Sequence, residues 1–180
     1  AYFHVKSADW TQNRPHPLRS WSASELAKMP TYYVMDLNQD MSETVAAEMP
    51  ADVEIAACQW LPEEELRVYS DEYSRTGFQG GLQWYRCAGS DWSIAENTFS
   101  AELQLFAGRS IDVPSCFIAG QSDWAVYQRP DAYEQMQDTA CTQLVGCHLV
   151  DGAGYCVLQE QPTAVASLLL DFLGGGTGPS

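Results

Sequence analysis

Two apolar runs of the chain each end in a loop whose side chains could do chemistry. The run 111–119 is followed by Asp123, and the run 144–150 is followed by a glycine-rich loop that carries Tyr155. In a parallel sheet, functional side chains lie just beyond the C-terminal ends of the strands. Asp123 is therefore placed as an acid that could orient a base. From local chemistry alone, a turn or N-cap aspartate and a plain glycine turn are the commoner explanations of these loops.

The elements that position the two loops follow a βαβα pattern. A helix that Pro130 can open lies between the two apolar runs, and this alternation predicts a parallel sheet with helices on its faces. Two strands are too few for a complete sheet, and an unpaired edge at the first strand predicts aggregation or a tight partner. The final helix is indicated by apolar residues at helical spacing: Val165, Leu168, Leu169 and Phe172.

The residues before these strands predict short helices broken by proline and glycine. Ser22 with Glu25 forms a capping-box pattern, and Ser42 is a second candidate N-cap. The clearest helix runs over 62–75, with proline in the first turn, acidic residues at its positive end and Gly77 past its end. An α-helical region is therefore expected before the strand-containing part.

Composition limits the classes of partner. With 46% hydrophobic residues, the 180-residue chain has enough apolar material for one globular domain. A formal charge of -15 excludes nucleic acid and an anionic membrane surface as favoured partners. The chain has no metal-ligand spacing, phosphate loop or dinucleotide fingerprint, so no cofactor is predicted. The six cysteines lack a C-x-x-C pair, which favours free thiols and a cytoplasmic location.

Three segments in order resemble a known family. The segment 73–86, Tyr-Ser-Arg-Thr-Gly-Phe-Gln-Gly-Gly-Leu-Gln-Trp-Tyr-Arg, resembles the lid motif of soluble epoxide hydrolases. The segment 113–124 resembles their acid-bearing strand and loop, and 151–162 resembles their histidine loop and the start of the last helix. The resemblance implies an α/β fold, namely a partial α/β-hydrolase fold with a helical lid and a βαβα core segment. Its expected boundaries are a lid over 1–108, a core segment over 109–173 and a flexible tail over 174–180.

The family's mechanism implies roles for specific residues. In that mechanism an aspartate nucleophile opens the epoxide while two lid tyrosines bind its oxygen, and an acid-oriented histidine then activates water. By resemblance, Tyr85 is one such tyrosine, and the other is Tyr33 or its neighbour Tyr32. Asp123 matches the orienting acid, and Tyr155 stands where the family has histidine.

Aromatic residues in the matching segments are candidates for contact with the substrate. Trp84, Trp124 and Phe78, together with Tyr32, would line the pocket, with packing in the core of the lid as the alternative. His148 lies inside the second apolar run and is expected to be a structural histidine.

Two departures from the family pattern affect the expected activity. A tyrosine has a pKa near 10, so Tyr155 is a poor water-activating base at neutral pH. No segment has the small flanking residues that a nucleophile elbow needs. We therefore expect an epoxide-hydrolase-like protein that acts on a small apolar substrate and is inactive as this chain alone, unless an N-terminal chain supplies the nucleophile. The alternative is a non-catalytic small-molecule binding protein or truncated pseudoenzyme.

Overall fold

The computed structural model describes residues 1–31, 33–87, 104–106 and 108–175, with 84–87 and 104 described by their backbone only. The chain divides into two compact units. The first comprises residues 1–60 and 110–180, and the second comprises residues 61–109. The two strand-end loops both lie in the first unit, so the structure of that unit decides how their side chains meet.

The first unit contains a two-stranded parallel sheet. Strand β1 spans Ser115–Gly120 and strand β2 spans Leu144–Val150, so the predicted parallel pairing is confirmed. Strand β1 begins later than the predicted position 111, because Pro114 has no N–H group for a ladder hydrogen bond. Ile111 instead forms an isolated bridge with Cys141.

Helices connect the two strands and follow the second one. Between the strands lie α6 (Trp124–Tyr127) and α7 (Ala132–Gln135), which continues into a π-helical turn at Met136–Ala140. After β2 come α8 (Val157–Glu160) and α9 (Pro162–Gly174), so the predicted βαβα order is confirmed. The helix expected to open at Pro130 begins instead at Ala132, after Asp131 with a φ of 59°.

Residues 1–60 add a short 3₁₀ turn and three helices to the same unit. The turn is His4–Lys6, and the helices are α1 (Ala23–Leu26), α2 (Met41–Ala47) and α3 (Asp52–Ala57).

Of the two predicted helix N-caps, the position of one is confirmed and the other is wrong. Ser22 is the N-cap of α1 but its side chain makes no capping hydrogen bond. The predicted cap at Ser42 is wrong, because Asp40 caps α2. Asp40 Oδ1 accepts from the N–H of Glu43 at 2.8 Å, and Glu43 Oε2 accepts from the N–H of Asp40 at 2.9 Å. This reciprocal pair satisfies two backbone donors, which a serine further into the helix would leave unpaired.

The second unit contains the predicted lid motif. Helix α4 spans Glu63–Thr76 and ends at Gly77, whose φ of 65° suits glycine, so the helix predicted over 62–75 is confirmed. Helix α5 spans Gln79–Cys87, and a 3₁₀ turn spans Gln104–Phe106. Among the described residues, no helix is both long and apolar enough to cross a bilayer.

A small apolar cluster supports the loop after β1. Leu18, Met29 and Trp124 are buried together, with Leu26 and Tyr33 packed against them. Because Trp124 follows Asp123 directly, packing of its indole fixes the position of the acid. The cluster thus connects the helical residues of the first unit with the start of α6.

Candidate functional site

Asp123 lies at the end of β1 as a buried carboxylate, with 8% of its surface exposed. Its Oδ1 accepts from the N–H of Ala125 at 2.8 Å, as an N-cap, and from the phenol of Tyr33 at 3.3 Å. Burial raises the pKa of Asp123, while these two hydrogen bonds and the charge of Lys6 oppose the rise. The aspartate is thus a helix cap and at the same time the partner of one of the predicted tyrosines.

The loops after the two strands are in direct contact. Ser122 N–H donates to the carbonyl of Ala153 at 2.9 Å. At Gly120, a Cβ atom would lie 2.1 Å from the carbonyl oxygen of Gly154, which is far below contact distance. Only glycine therefore allows the acid-bearing loop to meet the loop of Tyr155 at this spacing.

Tyr155 lies on the loop after β2, next to a buried lysine. Its N–H donates to the carbonyl of Lys6 at 2.9 Å, and its side chain is half-exposed. The Lys6 ammonium lies 4.4 Å from the centre of the Tyr155 ring and 3.9 Å from the centre of the Tyr2 ring, and it donates to the Tyr2 hydroxyl at 2.6 Å. Ring faces attract cations, so both tyrosine rings stabilise the ammonium group of Lys6, which is only 7% exposed.

Glu160 accepts three backbone hydrogen bonds, two of which come from the loop that carries Tyr155. Its Oε2 accepts from the N–H groups of Ala8 and Gly154, each at 2.9 Å, and its Oε1 accepts from the N–H of Cys156 at 3.1 Å. Burial raises the pKa of Glu160, and the three backbone hydrogen bonds oppose that rise. A buried carboxylate with three N–H donors is a well-satisfied anion.

An asparagine ties the N-terminal segment to the acid loop. Asn13 Nδ2 donates to the carbonyl of Ser7 at 2.9 Å and to that of Ser122 at 2.8 Å. No local sequence pattern indicates Asn13, Lys6 or Glu160, because partners in this region lie as far as 152 positions apart along the chain. Only the pairing of the folded segments brings them together.

The remaining predicted residues lie in the apolar cluster, in the second unit or outside the described residues. Trp124 is 4% exposed and lies in the apolar cluster, with the ring of His16 edge-on at 5.1 Å. Phe78 is exposed and stacks on Tyr73 at 4.6 Å in the second unit. Tyr32 lies outside the described residues, and so do the side chains of two residues in α5, Trp84 and Tyr85.

Of the predicted set, the structure brings together Asp123, Tyr33 and the loop of Tyr155. Their roles in binding or catalysis stay predictions. Within the part of the chain that the structure describes, no group of three or more His, Cys, Asp or Glu side chains is arranged to hold a metal ion. His148, expected to be structural, lies half-buried within β2 and outside this set.

Comparison with known proteins identifies the class. No family model matches the chain. Epoxide hydrolase I of potato (Solanum tuberosum) aligns with a TM-score of 0.59 and 27% identity over 76% of this chain and 41% of its own. Epoxide hydrolase A of Mycobacterium thermoresistibile aligns with a TM-score of 0.53 and 36% identity over 71% of this chain and 34% of its own. The fold is therefore a partial α/β-hydrolase fold, as predicted.

The curated relatives of this chain are named epoxide hydrolases. Epoxide hydrolase A of Mycobacterium tuberculosis is 39% identical over 117 residues, which are 64% of this chain and 33% of that protein. Epoxide hydrolase 2 of Siraitia grosvenorii is 30% identical over 118 residues, or 63% of this chain and 34% of its own. The chain thus spans about a third of the length of these relatives. Sequence and structure together support the epoxide-hydrolase-like α/β-hydrolase family, and the predicted resemblance is confirmed.

Proposed function

We propose that this chain provides the acid loop and the former histidine loop of an epoxide-hydrolase-like site for a small apolar epoxide. The observation that carries the proposal is the 3.3 Å hydrogen bond from the Tyr33 phenol to Asp123, since it places a predicted epoxide-binding tyrosine beside the predicted acid. A phenol has a single O–H, so Tyr33 must release Asp123 when it donates to an epoxide oxygen. Phenols suit this task because they donate to a developing alkoxide without carrying a charge themselves. The predicted second donor is Tyr85.

The same proposal includes a limit on turnover. Among these 180 residues we find no nucleophile elbow, and residue 155 is a tyrosine. A base at this position is needed to activate the water that hydrolyses an ester intermediate, and general-base catalysis commonly contributes about 10²–10⁴ in rate. We therefore expect no multiple turnover of an epoxide by these 180 residues alone. The nucleophile would have to come from a further segment or chain.

The second candidate is a non-catalytic protein that binds a small apolar molecule. The observation that favours it is the contact of Tyr155 with Lys6. Tyr155 is a poor base, and its ring lies against the buried ammonium group of Lys6. Such a pair is stable without any proton transfer. The aromatic residues would then be kept for binding.

One experiment separates these candidates. The nucleophile-bearing N-terminal portion of M. tuberculosis epoxide hydrolase A is joined to this chain, either unchanged or as Tyr155→His, and hydrolysis of styrene oxide is followed. We expect the histidine variant to turn over at least about 100-fold faster than the unchanged chimera, whose ester intermediate should accumulate and be visible by mass spectrometry.

Two controls give the result its meaning. The same N-terminal portion joined to its own C-terminal portion must be active, and Tyr155→Phe must behave like the unchanged chimera. If the positive control is active while both chimeras are folded and form neither diol nor covalent ester, the hydrolase proposal is refuted. Binding of the epoxide or its diol by the unchanged chimera would then support the second candidate.

A further inference from the structure

We propose that Glu160 is a positioning residue for residue 155: its buried carboxylate holds the backbone on both sides of Tyr155 and thereby directs the Tyr155 ring onto Lys6. The proposal rests on the proposed function only for the importance of position 155. Its geometry is independent of any turnover. Glu160 itself does not contact the predicted reacting groups among its described hydrogen bonds.

Every N–H group of the segment 154–156 donates a hydrogen bond. Gly154 and Cys156 donate to the two oxygens of Glu160 at 2.9 and 3.1 Å, and Tyr155 donates to the Lys6 carbonyl at 2.9 Å. Three consecutive donors fixed in this way leave the peptide planes around residue 155 little freedom to rotate. The direction of the Cα–Cβ bond at 155 is therefore set by Glu160 and Lys6 together.

The same carboxylate also binds the segment 6–8, which carries Lys6. Its Oε2 accepts from the N–H of Ala8, two residues after Lys6. At Gly154, a Cβ atom would lie 2.2 Å from the Lys6 carbonyl oxygen, so the loop and the segment 6–8 touch through their backbones. Glu160 thus joins the loop that carries the ring to the segment that carries the cation.

Both side-chain oxygens of residue 160 must act as acceptors here. Hydrogen bonds to an ionised group are stronger than neutral ones, and one carboxylate can accept from all three donors. In Glu160→Gln, one of the two oxygens becomes an NH₂ group, which would face an N–H donor. The change keeps the size of the side chain but converts at least one attractive contact into a repulsive one.

The chain offers an unusually clean probe of this geometry, because Lys6 and Lys28 are its only lysines. Lysine labelled with ¹³C and ¹⁵N therefore gives two sets of side-chain signals in NMR spectra of the full chain, one for each lysine. Lys28 pairs with Glu25 and serves as the internal reference. The upfield ring-current shift of the Lys6 ε-CH₂ group reports how closely an aromatic ring covers it.

The experiment compares three variants with the unchanged chain. Tyr155→Leu calibrates the part of the Lys6 shift that is due to Tyr155, since Tyr2 also contacts this ammonium. Glu160→Gln should lose most of that part, with the Lys28 signal unchanged. The matched control Glu134→Gln, which makes the same change at an exposed position, should lose none of it.

The outcomes decide the proposal. A folded Glu160→Gln variant that keeps the full Tyr155 contribution to the Lys6 shift would overturn it, whatever its stability. Should this variant not fold, amide hydrogen exchange in the unchanged chain replaces it: the N–H groups of Gly154 and Cys156 should be protected, and exchange as fast as at exposed Gly108 would refute the role. Neither readout involves turnover, so failure here is distinct from failure of the proposed function.

Discussion

Replacing Gly120 with alanine would force apart the two loops that form the candidate site. The added Cβ would lie 2.1 Å from the Gly154 carbonyl oxygen and 2.4 Å from that of Ala153. Both contacts are with backbone, so no side chain can swing away and one of the loops must move. The hydrogen bond from Ser122 to Ala153 at 2.9 Å would be strained by the same movement.

The cost follows from this geometry. Overpacking a well-packed interior costs about 1–3 kcal/mol, and a severe clash with backbone belongs at the upper end of that range. We expect Gly120→Ala to lower the free energy of unfolding by about 3 kcal/mol, measured by urea denaturation. The ring-current shift of Lys6 should change as well, because the loop of Tyr155 moves with Ala153 and Gly154.

The control is the same substitution in an open place. At Gly81, within α5, an added Cβ would meet no atom of the described residues within 4 Å beyond the backbone of its own helix, so Gly81→Ala should stabilise that helix by about 0.5–1 kcal/mol. Opposite signs at the two glycines are thus expected. If Gly120→Ala is as stable as the unchanged chain, the two loops are not in contact and the reasoning about the candidate site fails.

Two further predictions concern the same region. Burial raises the pKa of Asp123 and Glu160. Both carboxylates therefore bind protons more tightly in the folded protein than in the unfolded chain. The stability that they contribute is present at low pH and is lost as pH rises above about 4 through the raised pKa values. Urea denaturation across pH should show this fall, smaller in Asp123→Asn, and equal slopes in both proteins would contradict the assignment. Trp124→Ala should lower the free energy of unfolding by about 3–5 kcal/mol because a buried indole is removed. Trp21→Ala, at an indole that is 57% exposed, should change it by less than about 0.5 kcal/mol. Similar effects at the two positions would contradict the core assignment of Trp124.

Features that depend on local pattern could be predicted from the sequence. The apolar run 144–150 is a strand with those bounds, and the acidic-to-glycine pattern over 62–75 is helix α4 within one residue at each end. Local pattern was insufficient where two residues compete for one role. Asp40 caps α2 in place of Ser42 because only Asp40 has a glutamate three positions later to complete the reciprocal pair.

The candidate site was predictable only in the part that matching motifs carry. Asp123 and Tyr33 were singled out by resemblance, and the structure joins them. Lys6 and Glu160 were not singled out, since a lysine in a short turn and a glutamate in a short helix look like solvated charges in a sequence. Their burial follows from long-range packing, in which Glu160 meets Ala8 across 152 positions.

The buried lysine bears on what residue 155 can do. A neutral phenol ring presents a negative face to the Lys6 ammonium, which lies 4.4 Å from the ring centre, so tyrosine is compatible with this cation. An imidazole at 155 would become positively charged each time it removed a proton from water. Two unit charges about 4 Å apart repel by about 4 kcal/mol at an effective dielectric constant of about 20. That repulsion opposes the protonated state on which the family's second step depends, so the gain in turnover expected of Tyr155→His requires the Asp123 carboxylate to offset it.

Tyr155 and Lys6 therefore form a matched pair, and the two candidate functions make different demands on it. A binding protein keeps the pair, because the ring stabilises the ammonium and no proton is transferred. A hydrolase with histidine at 155 requires Asp123 to offset the charge of Lys6, or Lys6 to leave the pocket. We therefore expect the charge balance between Asp123 and Lys6, together with the identity of residue 155, to decide whether this site can support catalysis.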